Sequence, residues 1–174
     1  TGLMRTGKLF AYEYFNLQPD VMTLAKALGG GLPLGAMLVS ERLEGVLLPG
    51  DHGSTFGGNP LAAAAGSALL SVILEDGFEE NVNRMSGLLF EGLQDLQRKY
   101  PEYIFDVRGL GLMIGVDAGE YAMKIRDEAM DRGVLLNVTN STVIRLLPAL
   151  ILSEKEVNLF LETLEKVLGG LKGN

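Results

Sequence analysis

Three places in this sequence set reactive or anion-gripping side chains where simple chemistry could use them. The first is Lys26, which follows the apolar run VMTLA and precedes Ala-Leu-Gly-Gly-Gly. In apolar surroundings at a strand end a lysine is costly to keep charged, so its pKa is expected to fall. A neutral amine is a nucleophile for carbonyls and forms imines with them. The glycines that follow allow positive φ and close approach of a bulky cofactor. A solvated lysine at a strand end is the plainer alternative. The second place is Ser54-Thr55, set among Gly53, Gly57 and Gly58. Hydroxyls and free backbone N–H groups in a glycine-rich loop make an anion nest. A tight loop ending in a helix cap would need the same residues. The third is Arg145, inside the apolar segment VIRLLP. Its planar fork suits a bidentate carboxylate, although an internal salt bridge would satisfy it equally. Arg108, in Arg-Gly-Leu-Gly, is either a second anion contact or part of a hairpin turn.

A fourth candidate fails. Residues 2–8 read Gly, four residues, Gly-Lys, close to a phosphate-binding loop. That motif needs a hydroxyl at the next position to hold Mg²⁺ and a buried strand before it. Leu9 supplies no hydroxyl. GGGLPLG fails for the same reason, since no Gly-Lys-[Ser/Thr] follows it.

The elements that would position these residues can be read from periodicity. VMTLA and GAMLVS read as strands buried near the middle of a sheet. Asn59-Pro60 starts a helix over 61–76, with Asn as cap and Pro at the first position. From 78 the texture changes: Phe78, Val82, Met85, Leu88, Leu89, Leu93 and Leu96 recur at helical spacing until Pro101. IFDVRG and LGLMIGVD read as a strand pair turned at Gly109, and EYAMKIRDEAMDRG as a helix closed by Gly133. VLLNV and TVIRLLP read as strands. Ser153 then caps a last helix, with Glu156 completing a capping box. The expected division is residues 1–76, the end of an α/β domain, and 77–174, a self-contained α+β unit.

Composition narrows the function. The chain has 174 residues, 47% of them hydrophobic, enough to bury a core. A net charge of −7 argues against nucleic acid, whose phosphates need clustered Lys and Arg. There is no cysteine and a single histidine, His52, which argues against a metal cluster or a histidine-based triad and is compatible with a reducing compartment. No apolar run is long enough to span a membrane. The chain begins at Thr1, with apolar stretches almost at once, so an absent N-terminal part is expected.

Taken in order, TG…RTGKLFAYE, PD-x-x-TLAKALGGGLPLGA, GDHGSTFGGNPLA, VRGLGLMIG and IRLLPAL resemble the class III, pyridoxal-phosphate-dependent aminotransferases. The acetylornithine aminotransferases are the most similar subgroup, and the resemblance covers essentially all of the chain. It implies an α/β fold of the fold type I transferases, with a mostly parallel seven-stranded sheet in the large domain. Residues 1–76 would be the C-terminal part of that domain, and 77–174 the small C-terminal domain. Lys26 resembles the lysine that carries pyridoxal 5'-phosphate. Thr55, with Ser54 beside it, resembles the threonine that binds the cofactor phosphate from the neighbouring subunit of a homodimer. Arg145 resembles the arginine that grips a substrate carboxylate. Met4 departs from the family, where glycine is usual.

The resemblance further implies a cytoplasmic enzyme of arginine biosynthesis. N-acetylornithine would be the amino donor and 2-oxoglutarate the acceptor, with ornithine, 4-aminobutyrate and succinylornithine as rival donors. The family's pyridinium-pairing aspartate, main phosphate loop and ring-stacking aromatic lie upstream of Thr1, so these residues alone are expected to be inactive. A non-catalytic assembly module on the same fold and a nucleotide-binding protein using residues 2–8 are the alternatives. Lys26 speaks against the first and Leu9 against the second.

Overall fold

The structure, a computed structural model, describes residues 1–172. The chain divides into two compact units: Thr1–Met4 with Lys8–Glu79, and Arg5–Gly7 with Glu80–Asn174. The expected boundary lay at 76/77. The contacts divide the chain after Glu79, and they assign the short strap Arg5–Gly7 to the second unit.

In the first unit, strands β1 (Val21–Leu24) and β2 (Ala36–Val39) pair antiparallel, with Val21 opposite Val39 and Leu24 opposite Ala36. Their residues are good strand formers on a pleated surface. The expectation of central, buried strands does not hold within these residues. β2 is exposed along its whole length, and Val21 and Thr23 of β1 are exposed as well. The reason is topological: in a two-stranded ribbon both strands are edges. Every strand pair among the described residues is antiparallel, so the mostly parallel sheet is not contained in them.

Helix α1 (Pro60–Ile73) begins as its sequence predicts. The Asn59 side chain accepts from the Ala62 N–H at 2.9 Å, and Pro60 takes the first turn, where a missing N–H costs nothing. It ends three residues early, and Gly77, at φ 86°, lies in the turn before α2 (Phe78–Lys99).

The second unit holds a four-stranded antiparallel sheet in the order β3-β4-β6-β5: Asp106–Leu110, Met113–Asp117, Val143–Leu146 and Asn137–Thr139. Alternation along β4 and β6 buries Ile114, Val116, Ile144 and Leu146. Helix α2 contributes Val82, Met85, Leu89 and Leu93 to the core. Ile125 and Ala129 come from α3 (Ala122–Asp131), and Val157, Leu164 and Leu168 from α4 (Glu154–Leu171). The hairpin turn falls at Gly111-Leu112 rather than at Gly109, which stays in β3 opposite Ile114. Space decides this. At Gly111 (φ 57°) a Cβ would lie 2.2 Å from the Thr6 carbonyl carbon, so the strap can cross the turn only over a glycine. Arg5 fixes the strap by donating to the carbonyls of Leu112 (3.1 Å) and Pro148 (2.7 Å).

Candidate active site

Lys26 leaves β1 through an unusual backbone. Ala25 is extended, and Lys26 then adopts φ 55°, in the left-handed region that costs a non-glycine residue about 1–2 kcal/mol. Strain of this kind persists only where the surrounding structure holds it, and it clusters at functional sites. Here the hold is a 3-10 turn over Lys26–Gly29, pinned by buried Leu28 and closed by the Gly30 N–H donating to the Ala27 carbonyl at 2.9 Å. The side chain of Lys26 is exposed and has no ion pair among the described residues. The apolar enclosure suggested by its neighbours is therefore not built from this chain's described residues.

The positive φ expected of the neighbouring glycines is found at Gly30 (59°) and Gly31 (108°), and close packing gives a further reason for glycine. A Cβ on Gly29 would lie 2.9 Å from Leu34 Cβ, and one on Gly30 would lie 3.3 Å from the Ala65 carbonyl oxygen. A Cβ on Gly66 would lie 2.9 Å from the Leu28 carbonyl oxygen. Gly30 and Gly66 seat the lysine turn against α1, Gly29 lets the loop fold back on Leu34, and Gly31 (φ 108°) faces open space.

Lys8 makes the contrast with Lys26. Its Nζ donates to Glu79 at 2.7 Å, and that hydrogen bond and charge raise its pKa, holding it as an ammonium.

The loop before α1 presents Ser54 and Thr55 in exposed positions. The Ser54 hydroxyl oxygen accepts from the Gly57 N–H at 3.0 Å, which shapes the turn and leaves the hydroxyl proton to donate elsewhere. That bond uses one N–H of the expected nest. The Thr55 hydroxyl has no hydrogen bond among the described residues. Asn59 closes the loop by donating to the Phe56 carbonyl at 3.1 Å while capping α1. The lysine turn packs on Ala65 and Gly66, roughly one and a half helical turns along α1 from this loop. The amine and the two hydroxyls thus belong to segments joined by one helix.

In the second unit, Arg145 lies on the inner strand β6, opposite Gly115 of β4 and Asn137 of β5. It is exposed and has no ion pair among the described residues, which removes the internal salt bridge as its partner there. Arg145, Asn137, Leu147 and Phe160 are among the residues lining a cleft of about 340 Å³. Arg108 lies in β3 opposite Gly115 and is paired with Asp106 at 2.7 Å and Asp117 at 3.7 Å. Sequence reasoning missed Asp117 and the strap arginine Arg5. Burial lowers the pKa of Arg5, which has carbonyl partners in place of a carboxylate. Only the strand register, which no local pattern carries, shows that Asp117 shares a face with Arg145.

Residues 1–168 match the family model described as Aminotransferase class-III. The acetylornithine aminotransferase of Caldanaerobacter subterraneus subsp. tengcongensis is 46% identical over 173 residues, 99% of this chain and 44% of that protein. That of Methanocaldococcus jannaschii is 41% identical over 98% of this chain and 43% of that protein. The crystal structure of acetylornithine aminotransferase from Elizabethkingia anophelis superposes with a TM-score of 0.91 at 34% identity, over 98% of this chain and 46% of that one. The ornithine aminotransferase of Toxoplasma gondii gives 0.92 at 29% identity, over 99% of this chain and 42% of that one. The chain spans under half the length of each of these relatives. Its mixed helices and sheets have the architecture of the fold type I transferases, and the chain belongs to the class-III, pyridoxal-phosphate-dependent aminotransferases.

Proposed function

We propose that this chain works within an aminotransferase that moves the terminal amino group of N-acetylornithine to 2-oxoglutarate. The products are N-acetylglutamate semialdehyde and glutamate, in arginine biosynthesis in the cytoplasm. Residues 1–76 are then the C-terminal part of the large cofactor-binding domain and 77–174 the small domain. The observation that carries the reading is Lys26: an exposed amine with no ion pair among the described residues, held at a left-handed strand exit, while the amine of Lys8 is engaged by Glu79 at 2.7 Å. The acetylornithine aminotransferases among the relatives favour this donor. Ornithine is the second reading, favoured by the likeness to the Toxoplasma gondii enzyme.

The residues present fit pyridoxal phosphate. In the first unit they offer one exposed lysine amine for its aldehyde, and in the glycine loop two exposed hydroxyls with donor capacity for its phosphate. When bound, the cofactor supplies an electron sink for the substrate carbon. Lys26 holds it covalently through Nζ and, once released, carries a proton at that same atom. Thr55 and Ser54 donate to the phosphate, Thr55 across the boundary of a homodimer. Arg145 orients a substrate carboxylate through its two-pronged fork.

The test is chemical. Borohydride reduction of the cofactor-loaded, full-length protein, followed by peptide mapping, is expected to place the pyridoxyl label on Lys26. Lys26→Ala is expected to retain weak cofactor binding and lose transamination by several orders of magnitude, because nucleophile and proton carrier go together. A label on Lys8 overturns the assignment. Initial rates with N-acetylornithine and with ornithine decide between the two donors.

A further inference from the structure

The outer face of the four-stranded sheet carries two cross-strand rows. The first runs Arg108, Gly115, Arg145, Asn137 across β3, β4, β6 and β5. The second runs Asp106, Asp117, Val143, Thr139. Asp117 is therefore the diagonal neighbour of both arginines, at the roughly 7–8 Å spacing that long side chains bridge. Gly115, between the two arginines, has no side chain to separate them.

Asp106 and Asp117 face each other directly, an arrangement that repels. Arg108 resolves it. Its Nη1 lies 2.7 Å from Asp106 Oδ2 and 3.7 Å from Asp117 Oδ2, and its pKa is raised chiefly by the hydrogen bond to Asp106. Asp117 is held from its other side by the Gly119 N–H, which donates to Oδ1 at 3.2 Å. One arginine thus engages both carboxylates of these rows, and Arg145 is left without an ion pair among the described residues.

We propose that Arg108 is a positioning residue: by holding Asp106 and Asp117 it keeps Asp117 from closing onto Arg145, so that Arg145 stays open to a carboxylate ligand. The inference rests on the reading of Arg145 as a carboxylate-binding residue. It assigns Asp117 as an internal competitor for that site. Without Arg108, Asp117 lies within diagonal reach of the Arg145 guanidinium and competes with any external carboxylate.

The experiment compares variants of the full-length holoenzyme. Their affinity for glutarate, a dicarboxylate with no carbonyl to react, is measured by calorimetry beside the KM for 2-oxoglutarate and the thermal midpoint. Arg108→Met is expected to weaken glutarate binding and raise KM by roughly two- to fivefold, the scale of an exposed ion pair, with the effect on KM rather than kcat. Arg108→Lys keeps the charge and is expected to keep the affinity.

Two double variants separate positioning from simple neutralisation. Arg108→Met/Asp117→Asn and Arg108→Met/Asp106→Asn both relieve the carboxylate repulsion, so both are expected to recover thermal stability. Only the first removes the competitor, so only it is expected to recover affinity. Should Arg108→Met alone not fold, this pair carries the comparison. Equal affinity in the two double variants overturns the proposal, as does unchanged glutarate binding in Arg108→Met. Arg145→Met tests the underlying reading separately: loss of glutarate binding supports it, and unchanged binding removes both. Loss in Arg145→Met with none in Arg108→Met removes the inference alone.

Discussion

At the scale of single residues, the candidate site was legible wherever side-chain chemistry disagreed with its neighbours. Lys26 after an apolar strand, hydroxyls in a glycine-rich loop and Arg145 in VIRLLP each stand out from the residues around them, and the fold leaves all of them exposed. What the sequence hid was the pairing state of each charge. Lys8 and Lys26 are alike in type, and only the fold shows Glu79 on one of them. Arg145 yields a sharp expectation. Arg145→Lys keeps the charge and loses the bidentate fork, so carboxylate binding should weaken by about 1.5–3 kcal/mol while the cofactor spectrum stays normal. Steady-state KM values for donor and acceptor check this, and unchanged values for both would return Arg145 to a structural role. Met4 shows two local effects opposed. It takes φ 68°, where the family's usual glycine would be unstrained, yet its side chain is buried. Relief of strain is worth about 1–2 kcal/mol, and removing a buried side chain of this size costs about 2–5. Met4→Gly should therefore lower the thermal midpoint, which a melting curve reads directly.

At the scale of elements, helices were legible because their signals are local, and the sheet was legible only in part. The Asn59-Pro60 start of α1, the apolar stripe of α2 and the Ser153–Glu156 box of α4 all lie within a few residues of what they control. The turn at Gly111 depends on the strap at Thr6, more than a hundred residues away in sequence, so no window of sequence contains its cause. Two helical glycines give opposite expectations on the same chemistry. Gly66→Ala drives a methyl against the Leu28 carbonyl oxygen, which is backbone and cannot yield cheaply. The crowding, about 1–3 kcal/mol, should exceed the gain of about 1 kcal/mol in helix propensity. In Gly92→Ala the methyl meets only the branched end of Leu161, which can rotate away, so that variant should lie close to neutral. Equal melting points for the two would show that the lysine turn is not seated on α1 as described. The box on α4 carries a pH dependence. The Ser153 hydroxyl and backbone N–H both donate to the Glu156 carboxylate, at 2.7 and 2.8 Å, and lower its pKa. A lowered folded-state value means that the stabilisation is present above the ordinary glutamate pKa of about 4.3 and is lost as pH falls through the lowered value. The difference in melting temperature between the parent and Glu156→Gln should therefore be largest near neutrality and shrink in acid.

At the scale of the whole molecule, the first unit is left with apolar surface that its own residues do not cover. Phe56 is 81% exposed and Leu61 70%, and both flank the glycine loop that carries Thr55. Exposed apolar side chains grouped beside a polar loop fit a surface that groups outside the described residues cover, a second subunit among them. That supports the proposal that Thr55 serves the cofactor of a second subunit, so that each active site draws on two chains. Thr55→Ala should then weaken cofactor binding by about 1.5–3 kcal/mol, the scale of a hydrogen bond to a charged group, and leave the covalent link through Lys26 intact. Mixing two inactive variants of the full-length protein tests the sharing itself. Lys26→Ala removes the amine, and Thr55→Asp sets a carboxylate against the phosphate. In a mixed dimer with shared sites, one site combines Lys26→Ala with the other chain's Thr55→Asp, and the second combines an intact Lys26 with an intact Thr55. One competent site per mixed dimer should return activity towards half that of the parent dimer. If each site is built from one chain only, every site in the mixture keeps a defect and no activity returns. Subunit exchange is verified by native mass measurement, so an absence of recovery with exchange complete would assign Thr55 to its own subunit's cofactor or to the shape of the loop.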